Sequence, residues 1–263
     1  MAYVLRDGVA VYYEVHGSGP AILLSHGFAA TGRMWAPQIE MLTRNFKVVL
    51  WDLRGHGRTD SPAEPAAYSQ AKSLEDMAGI LDALGIQKAI IGGHSLGGFL
   101  SLAFHAKYPE RVAALVLSGA GPGYRKDAPR EAWNATANGL ADEIERDGLE
   151  WLRDRGAEGD PTDHKSAAGL INAGRRMLTQ TDGAVIESLP SISVPTFISV
   201  GSQDSSYFAA TEYLEAKIKG SQRHVFDGAG HAVNHDMPEA FNAALCGFLG
   251  SNSTAFADLG HES

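Results

Sequence analysis

The distribution of apolar residues along the chain predicts strands that are covered on both faces. Short runs such as residues 21–25 (AILLS) and 112–118 (VAALVLS) are apolar at almost every position. A parallel sheet between two layers of helices needs such strands, whereas a half-exposed strand alternates apolar and polar residues. The predicted strands are residues 9–16, 21–25, 46–51, 89–92, 112–118, 196–200 and, more weakly, 223–226.

Amphipathic stretches with helical spacing separate these strands. Within residues 73–84, Leu74, Met77 and Leu81 fall on one stripe, and Gly85 ends the pattern. Repeated alternation of strand and helix predicts an α/β fold with a mostly parallel sheet. The predicted helices are residues 34–42, 73–84, 97–108, 206–218 and 238–248.

Residues 121–190 interrupt this alternation, because they contain no convincing strand. Trp133, Leu140 and Ile144 recur there at helical spacing. The segment is too long for an ordinary loop, so we predict a helical cap over the sheet. The predicted division is a core of residues 1–120 and 191–249, a cap of residues 121–190 and a flexible tail of residues 250–263.

The pentapeptide Gly93-His94-Ser95-Leu96-Gly97 is the sharpest chemical signal in the sequence. It has the form G-x-S-x-G and joins a predicted buried strand to a predicted helix. Such a turn strains the central residue and exposes its side chain, and flanking glycines avoid clashes with the neighbouring backbone. Ser95 is therefore the predicted nucleophile. The alternative is a glycine-rich turn that only connects a strand to a helix.

A serine hydroxyl needs a base that takes its proton and an acid that orients the base. In hydrolases with this type of turn, the chain order is serine, acid, histidine. Asp204 lies just past the predicted strand 196–200, and His231 follows a glycine-rich loop after the last predicted strand. Both are expected at the same edge of the sheet as Ser95. Asp204 as a helix cap and His235 as the base are the alternatives.

Two backbone N–H groups are predicted to stabilise the negative charge that acyl transfer builds on the carbonyl oxygen. One belongs to Leu96, directly after the nucleophile, and the other to Phe28, in the loop after residues 21–25. The Phe28 ring would then border the substrate. The candidate substrate-binding residues are Phe28, His94, Trp133, Leu140, Ile144, Trp151 and Met177, although packing of the cap explains its apolar residues equally well.

Composition restricts the partners more than it identifies them. The net charge of −9 and the pI of about 5.5 make nucleic acid and anionic membranes poor partners. The single cysteine, Cys246, sits among apolar residues at helical spacing and is predicted to be buried rather than reactive. The start of the sequence lacks the pattern of a signal peptide, and no stretch has the length of a membrane span, so we expect a cytoplasmic protein. No pattern predicts an oligomeric state.

Together these segments resemble the α/β-hydrolase superfamily, in its esterase, lactonase and epoxide-hydrolase-like branch. The resemblance covers about residues 9–249 apart from the cap. Its carriers are His26-Gly27-Phe28, residues 51–60 (WDLRGHGRTD), residues 93–98 (GHSLGG), Gly201-Ser202-Gln203-Asp204 and Gly228-Ala229-Gly230-His231. It implies an eight-stranded sheet with a helical cap between strands six and seven. It also implies a structural turn at residues 51–60, in which Asp52 and His56 are not catalytic.

The expected function is hydrolysis of a small-molecule carboxylic ester or lactone through an acyl-enzyme, with no metal and no organic cofactor. Relatives that act as haloalkane dehalogenases or epoxide hydrolases carry aspartate where this chain has Ser95, which argues against both activities. Carbon–carbon bond hydrolases, cofactor-free perhydrolases and lyases share the same triad and stay open. The alternative from another class is a ligand receptor with a slow, vestigial hydrolase site.

Overall fold

The computed structural model describes residues 2–153 and 159–260, and these contain one eight-stranded sheet in the order β1-β2-β4-β3-β5-β6-β7-β8. The strands are β1 (Ala2–Arg6), β2 (Val9–His16), β3 (Ala21–Ser25), β4 (Lys47–Trp51), β5 (Ala89–His94), β6 (Val112–Ser118), β7 (Thr196–Gly201) and β8 (Gln222–Phe226). β2 pairs antiparallel with β1 and β4, and the other neighbours are parallel. The predicted α/β fold with a mostly parallel sheet is confirmed.

Helices cover both faces of the sheet, and successive residues of a buried strand face opposite layers. On β3, Leu23 packs with the layer that includes α2 and α3, whereas Leu24 packs with the layer of α1 and α9. No helix among the described residues is both long and apolar enough to span a bilayer. The helices are α1 (Ala36–Leu42), α2 (Gln70–Ala83), α3 (Leu96–Lys107), α4 (Asp127–Asp147), α5 (Ala167–Ala173), α6 (Ala184–Ser188), α7 (Phe208–Lys217), α8 (Val233–Asp236) and α9 (Pro238–Ser251).

The hydrophobic pattern missed one strand, β1 at the sheet edge. It forms a hairpin with β2 through Asp7 and Gly8, whose φ angles are +49° and +79°. Two successive residues with positive φ make the turn whose twist suits a two-residue hairpin, and Asp-Gly is a favoured sequence for it. The dipeptide was therefore the signal that could have revealed this strand.

The residues between β6 and β7 form α4, α5, α6 and short 3₁₀ and π turns. This cap shares the main hydrophobic cluster with the sheet, since Ala137 of α4 and Met177 are both fully buried in it. The chosen boundaries of core and cap stay a prediction, and residues 154–158 of the cap lie outside the described residues.

The structure corrects two expectations near the C-terminus. Over residues 250–260 the chain is not a frayed tail: α9 runs to Ser251, and Ser253–Gly260 form a 3₁₀ helix. Phe256 is buried with its ring centroid 6.3 Å from that of Phe46, so apolar burial holds this segment to the core. Cys246 is exposed, because Leu245 faces the core and the next residue lies about 100° further round the helix. Residues 261–263 lie outside the described residues.

Candidate active site

Ser95 occupies a strained turn between β5 and α3. Its φ is +52°, a left-handed value that is unfavourable for a residue with a side chain, and its N–H donates to the Ser118 carbonyl at 2.9 Å. The turn depends on glycine. A Cβ at Gly93 would lie 2.2 Å from the Gly97 carbonyl carbon, and one at Gly97 would lie 2.4 Å from the Ser25 oxygen. The backbone strain and the tight packing together present the Ser95 side chain at the edge of the sheet.

Asp204 and His231 form a hydrogen-bonded pair at the same edge. Asp204 follows β7, His231 follows β8, and His231 Nδ1 lies 2.7 Å from Asp204 Oδ2. Asp204 as a whole is 6% exposed. Because an ionised carboxylate only accepts hydrogen bonds, Nδ1 of His231 is the donor in this pair.

The ring of His231 contacts two other rings. The Tyr207 ring is nearly parallel to it, at a centroid distance of 4.7 Å and an angle of 20°, and the His94 centroid lies 4.5 Å away. The backbone beneath the ring also needs glycine, since a Cβ at Gly119 would lie 3.1 Å from His231 Nδ1. Gly119 directly follows Ser118, the hydrogen-bond partner of Ser95. The His231 imidazole and the Ser95 turn thus contact two successive residues of the same backbone, Gly119 and Ser118.

The two predicted oxyanion donors belong to segments that both reach Ser95. Leu96 is the first residue of α3, where an N–H has no acceptor within the helix and the helix dipole favours negative charge. The Phe28 loop approaches closely at Gly27, where a Cβ would lie 3.4 Å from Ser95 Cβ and 2.9 Å from His94 Cδ2. Within the described residues, the Phe28 N–H donates to no protein acceptor.

Buried polar side chains hold the turn at residues 51–60 against this loop. Asp52 accepts hydrogen bonds from the N–H groups of Gly32 and Arg58, each at 2.8 Å. His56 Nε2 accepts from the Ala29 N–H at 3.1 Å. Burial lowers the pKa of His56 well below its ordinary value, which keeps the ring neutral. His56 and Asp52 thus each hold a backbone N–H group of the segment that follows β3, at Ala29 and at Gly32.

A two-lobed cavity surrounds Ser95 under the cap. One lobe of about 370 Å³ is lined by Leu96, Phe99, Tyr124, Thr136, Gln180 and Ala210, among others. The other, of about 310 Å³, is lined by Phe28, His94, Leu140, Trp151 and His231, among others. Both lobes are bordered by Ser95, Trp133, Leu178, Ser206 and Tyr207. A substrate bound across Ser95 would place one part in each lobe.

Five of the seven predicted substrate-binding residues line this cavity. Phe28, His94, Trp133, Leu140 and Trp151 line it. Ile144 and Met177 do not line it, because both are fully buried in apolar clusters that hold the cap together and to the core. Sequence reasoning missed Tyr207, Leu178, Ser206, Phe99 and Gln180, since no local pattern indicates which side chains line a cavity between the cap and the core.

The alternative base, His235, lies elsewhere. Its Nε2 is 2.6 Å from the Met34 carbonyl, in a network that ties α8 to α1, whereas Asp204 pairs with His231. Among residues 2–153 and 159–260, no three His, Cys, Asp or Glu side chains are grouped as metal ligands would be.

Comparison with known proteins identifies a matching family and several similar proteins. A sequence family described as the alpha/beta hydrolase fold matches residues 20–168. A Bacillus subtilis protein with the provisional name 2-succinyl-6-hydroxy-2,4-cyclohexadiene-1-carboxylate synthase is 31% identical, over 94% of this chain and 97% of its own length. 3-Oxoadipate enol-lactonase 1 of Acinetobacter baylyi is 32% identical, over 94% and 95%. A thermophilic esterase structure from Thermogutta terrifontis superposes with a TM-score of 0.79 at 26% identity, covering 97% of each chain.

Proposed function

This chain belongs to the α/β-hydrolase family, and from that membership we propose that it is a serine hydrolase in which Ser95, His231 and Asp204 cleave a carboxylic ester or lactone. The observation that carries the proposal is the 2.7 Å contact of His231 with Asp204, at a cavity that Ser95 and His231 both border. The names of the lactonase relative and of the esterase neighbour also support it.

The first half of the proposed reaction forms an acyl-enzyme. Ser95 Oγ attacks the carbonyl carbon while His231 Nε2 takes the hydroxyl proton, and Asp204 stabilises the imidazolium. The N–H groups of Phe28 and Leu96 hold the oxyanion of the tetrahedral intermediate. When this collapses, the bond from carbon to the alcohol oxygen breaks, and His231 returns the proton to the leaving oxygen.

The second half releases the acid. A water molecule gives its proton to His231 Nε2 and attacks the acyl carbon, through a second oxyanion in the same hole. The ester bond to Ser95 breaks, Ser95 regains its proton from His231, and the carboxylic acid leaves. Every proton moves between the substrate, water and these side chains.

We further propose that the substrate is uncharged around the scissile bond. Among the described lining residues of both lobes there is no lysine, arginine, aspartate or glutamate. A buried carboxylate without a cationic partner is costly to bind. The names of the two curated relatives both refer to carboxylate compounds, so this lining favours a different substrate for this chain.

The relative named as a synthase supports one second candidate, lyase chemistry at the same residues. In that case His231, or Ser95 deprotonated by it, removes a proton from a carbon atom and a leaving group departs without an acyl-enzyme. The two candidates differ in a measurable way, because only the ester reaction leaves an acyl group on Ser95.

The deciding experiment is pre-steady-state hydrolysis of a short-chain p-nitrophenyl ester, followed by mass spectrometry of the quenched protein. We expect a burst of one nitrophenol per active site, steady turnover, and an acyl adduct on the peptide that carries Ser95. Ser95→Ala should lose turnover by about a millionfold in kcat. Asp204→Asn should lose about 10⁴-fold, because the wrong tautomer of His231 is then favoured.

Matched variants separate chemistry from folding. Ser191→Ala and Asp227→Asn alter hydrogen-bonded groups outside the cavity lining and should keep full activity. Turnover that survives Ser95→Ala would refute the proposal, and a burst without turnover would favour the receptor alternative. To test the charge preference, the methyl ester of an apolar acid is compared with the monomethyl ester of a dicarboxylic acid of equal length. Faster hydrolysis of the charged ester would refute the uncharged substrate.

A further inference from the structure

Three histidines from three separate segments hold three successive peptide units of the Phe28 loop. His26 Nδ1 lies 2.7 Å from the Gly27 oxygen, which belongs to the peptide unit that carries the Phe28 N–H. His56 Nε2 lies 3.1 Å from the Ala29 nitrogen, in the next unit. His164 Nε2 lies 2.9 Å from the Ala29 oxygen, in the unit after that. The loop therefore has a histidine contact at each peptide unit from Gly27 to Ala30.

The hydrogen-bond partners assign one protonation state to each ring. Carbonyl oxygens can only accept hydrogen bonds, so the ring nitrogens that face them are donors. These donors are His26 Nδ1, His164 Nε2 and His56 Nδ1, the last of which lies 3.1 Å from the Arg54 oxygen. The opposite nitrogens of His26 and His164 accept from the N–H groups of Leu53 at 2.9 Å and Gly57 at 3.1 Å. Each ring is a neutral imidazole with one donor and one acceptor in use.

The loop needs this support because its backbone is strained. Ala29 has a φ of +63°, in the left-handed region where a residue with a side chain is rarely found. Both of its polar backbone groups are held by histidines, the N–H by His56 and the oxygen by His164. Strained residues persist where surrounding contacts determine them, and they often occur in catalytic machinery. A shift at Ala29 would move the adjacent Phe28 N–H.

His164 differs from the other two because it belongs to the cap. It follows the 3₁₀ turn Pro161–Asp163, is 7% exposed and contacts the His56 ring at a centroid distance of 5.9 Å. Its neighbour Lys165 also bonds to the core, at 2.7 Å from the Arg58 oxygen, but not to the Phe28 loop. His164 thus hydrogen-bonds to both the Phe28 loop and the turn at residues 51–60, whereas Lys165 bonds only to the turn side.

We infer that His164 is a positioning residue, which couples the docked cap to the oxyanion hole by holding the Ala29 oxygen and thereby the Phe28 N–H. The inference rests on the proposed function, because it gives the Phe28 N–H its role. It assigns to the cap a part in stabilising the transition state, in addition to forming a wall of the cavity. His164 itself touches no reacting atom.

Each of two conservative variants is designed to keep one of the two backbone hydrogen bonds of His164. His164→Gln places an amide NH₂ near Nε2 and can keep the donor to Ala29, whereas His164→Asn places its oxygen near Nδ1 and keeps only the acceptor for Gly57. We expect His164→Asn to lower kcat by about tenfold or more with little change in KM, a fraction of the effect of losing an oxyanion donor outright. His164→Gln should stay within a fewfold of the unaltered protein.

The Ki of a trifluoromethyl ketone inhibitor distinguishes a positioning role of His164 from a merely structural one. Its adduct with Ser95 carries an oxyanion, so the Ki should rise in His164→Asn in proportion to the fall in kcat/KM. The Kd of the unreactive amide analogue of the substrate should not change. Lys165→Ala removes a hydrogen bond between cap and core that does not involve the Phe28 loop, and as the control it should leave kcat and Ki unaltered.

Equal kcat values for His164→Asn and His164→Gln, or a Ki that stays constant in His164→Asn, would overturn the inference. A fall in Tm that is the same for both variants, with unaltered kcat in the folded protein, would overturn it as well, because the role would then be structural. The proposed function fails separately, through turnover that survives Ser95→Ala.

Discussion

The Tyr207 ring lies almost flat against the imidazole of His231, with 4.7 Å between centroids and 20° between planes. The stacked face and the hydrogen bond to Asp204 restrict the imidazole in two directions, and Tyr207 comes from the residues just before α7 rather than from either strand end. Asp204 and Tyr207, which both contact the His231 ring, thus lie three residues apart in one loop.

Replacement of Tyr207 should test this restraint. Tyr207→Phe keeps the stacked ring and should leave kcat nearly unaltered. Tyr207→Ala removes an aromatic contact that is typically worth about 0.5–1.5 kcal/mol, so kcat should fall by about two- to tenfold as the base loses its orientation. Steady-state kinetics on one ester measure both variants. Equal losses in the two variants would instead assign the effect to the phenol hydroxyl.

The two lobes should govern opposite sides of the substrate. Thr136 lines only the larger lobe and Leu140 only the smaller one, although both lie on α4 one turn apart. Thr136→Trp and Leu140→Trp each fill one lobe with comparable bulk. We expect one variant to lose kcat/KM as the acyl chain is lengthened and the other as the alcohol is lengthened, measured on two ester series. The idea fails if both variants respond to the same series.

Removal of one partner of the buried ion pair between Arg54 and Asp76 should strongly destabilise the protein. Asp76 is fully buried and receives two hydrogen bonds from the guanidinium, at 2.7 and 2.8 Å. Asp76→Ala leaves the Arg54 charge buried without its partner, which typically lowers the free energy of unfolding by about 3–5 kcal/mol. The exposed pair of Asp82 and Arg111 is the control, and Asp82→Ala should cost less than about 1 kcal/mol. Urea denaturation compares them.

Acid should destabilise the protein through the three buried histidines that contact the Phe28 loop. Burial lowers the pKa of His26 to about 3 from its ordinary 6.5, and burial also lowers the pKa of His56 and of His164. Below pH 6.5 the unfolded chain therefore binds more protons than the folded chain, so stability is complete above pH 6.5 and falls as the pH drops. For His26 this loss continues down to about pH 3.

The expected slope is about 1.4 kcal/mol per pH unit for each histidine that stays neutral in the folded state. Urea denaturation at pH 7.5, 6.5 and 5.5 measures it, and His26→Asn should make the dependence on pH shallower. A free energy of unfolding that is constant between pH 6.5 and 5.5 would show that these rings accept protons without loss of structure.

Some of the site was predictable because it depends on local rules. The spacing of Gly93, Ser95 and Gly97 between a buried strand and a helix specifies the turn by sterics alone. The chain order that led to Asp204 and His231 also follows from the carboxyl ends of parallel strands meeting at one edge. The structure brings these two side chains into contact at 2.7 Å. Their catalytic roles stay a proposal that the Ser95 and Asp204 variants test.

Other features could not be read locally. Ile144 shares a helical stripe with Trp133 and Leu140, yet it is fully buried while the other two line the cavity, because packing against neighbouring segments decides which part of a stripe stays accessible. Phe256 lies in a polar, serine-containing stretch whose composition predicts a flexible tail. Only its packing near Phe46 shows that the segment contacts the core.

The sequence by itself determined the layered fold and the turn at Ser95, since both arise from periodicity and from steric limits within a few residues. Only the tertiary structure decided how His26, His56 and His164 meet around Ala29, although they are up to 138 residues apart in the chain. The physical reason is that each of these hydrogen bonds needs a donor and an acceptor from distant segments. No local pattern encodes such a pairing before the cap has docked on the sheet.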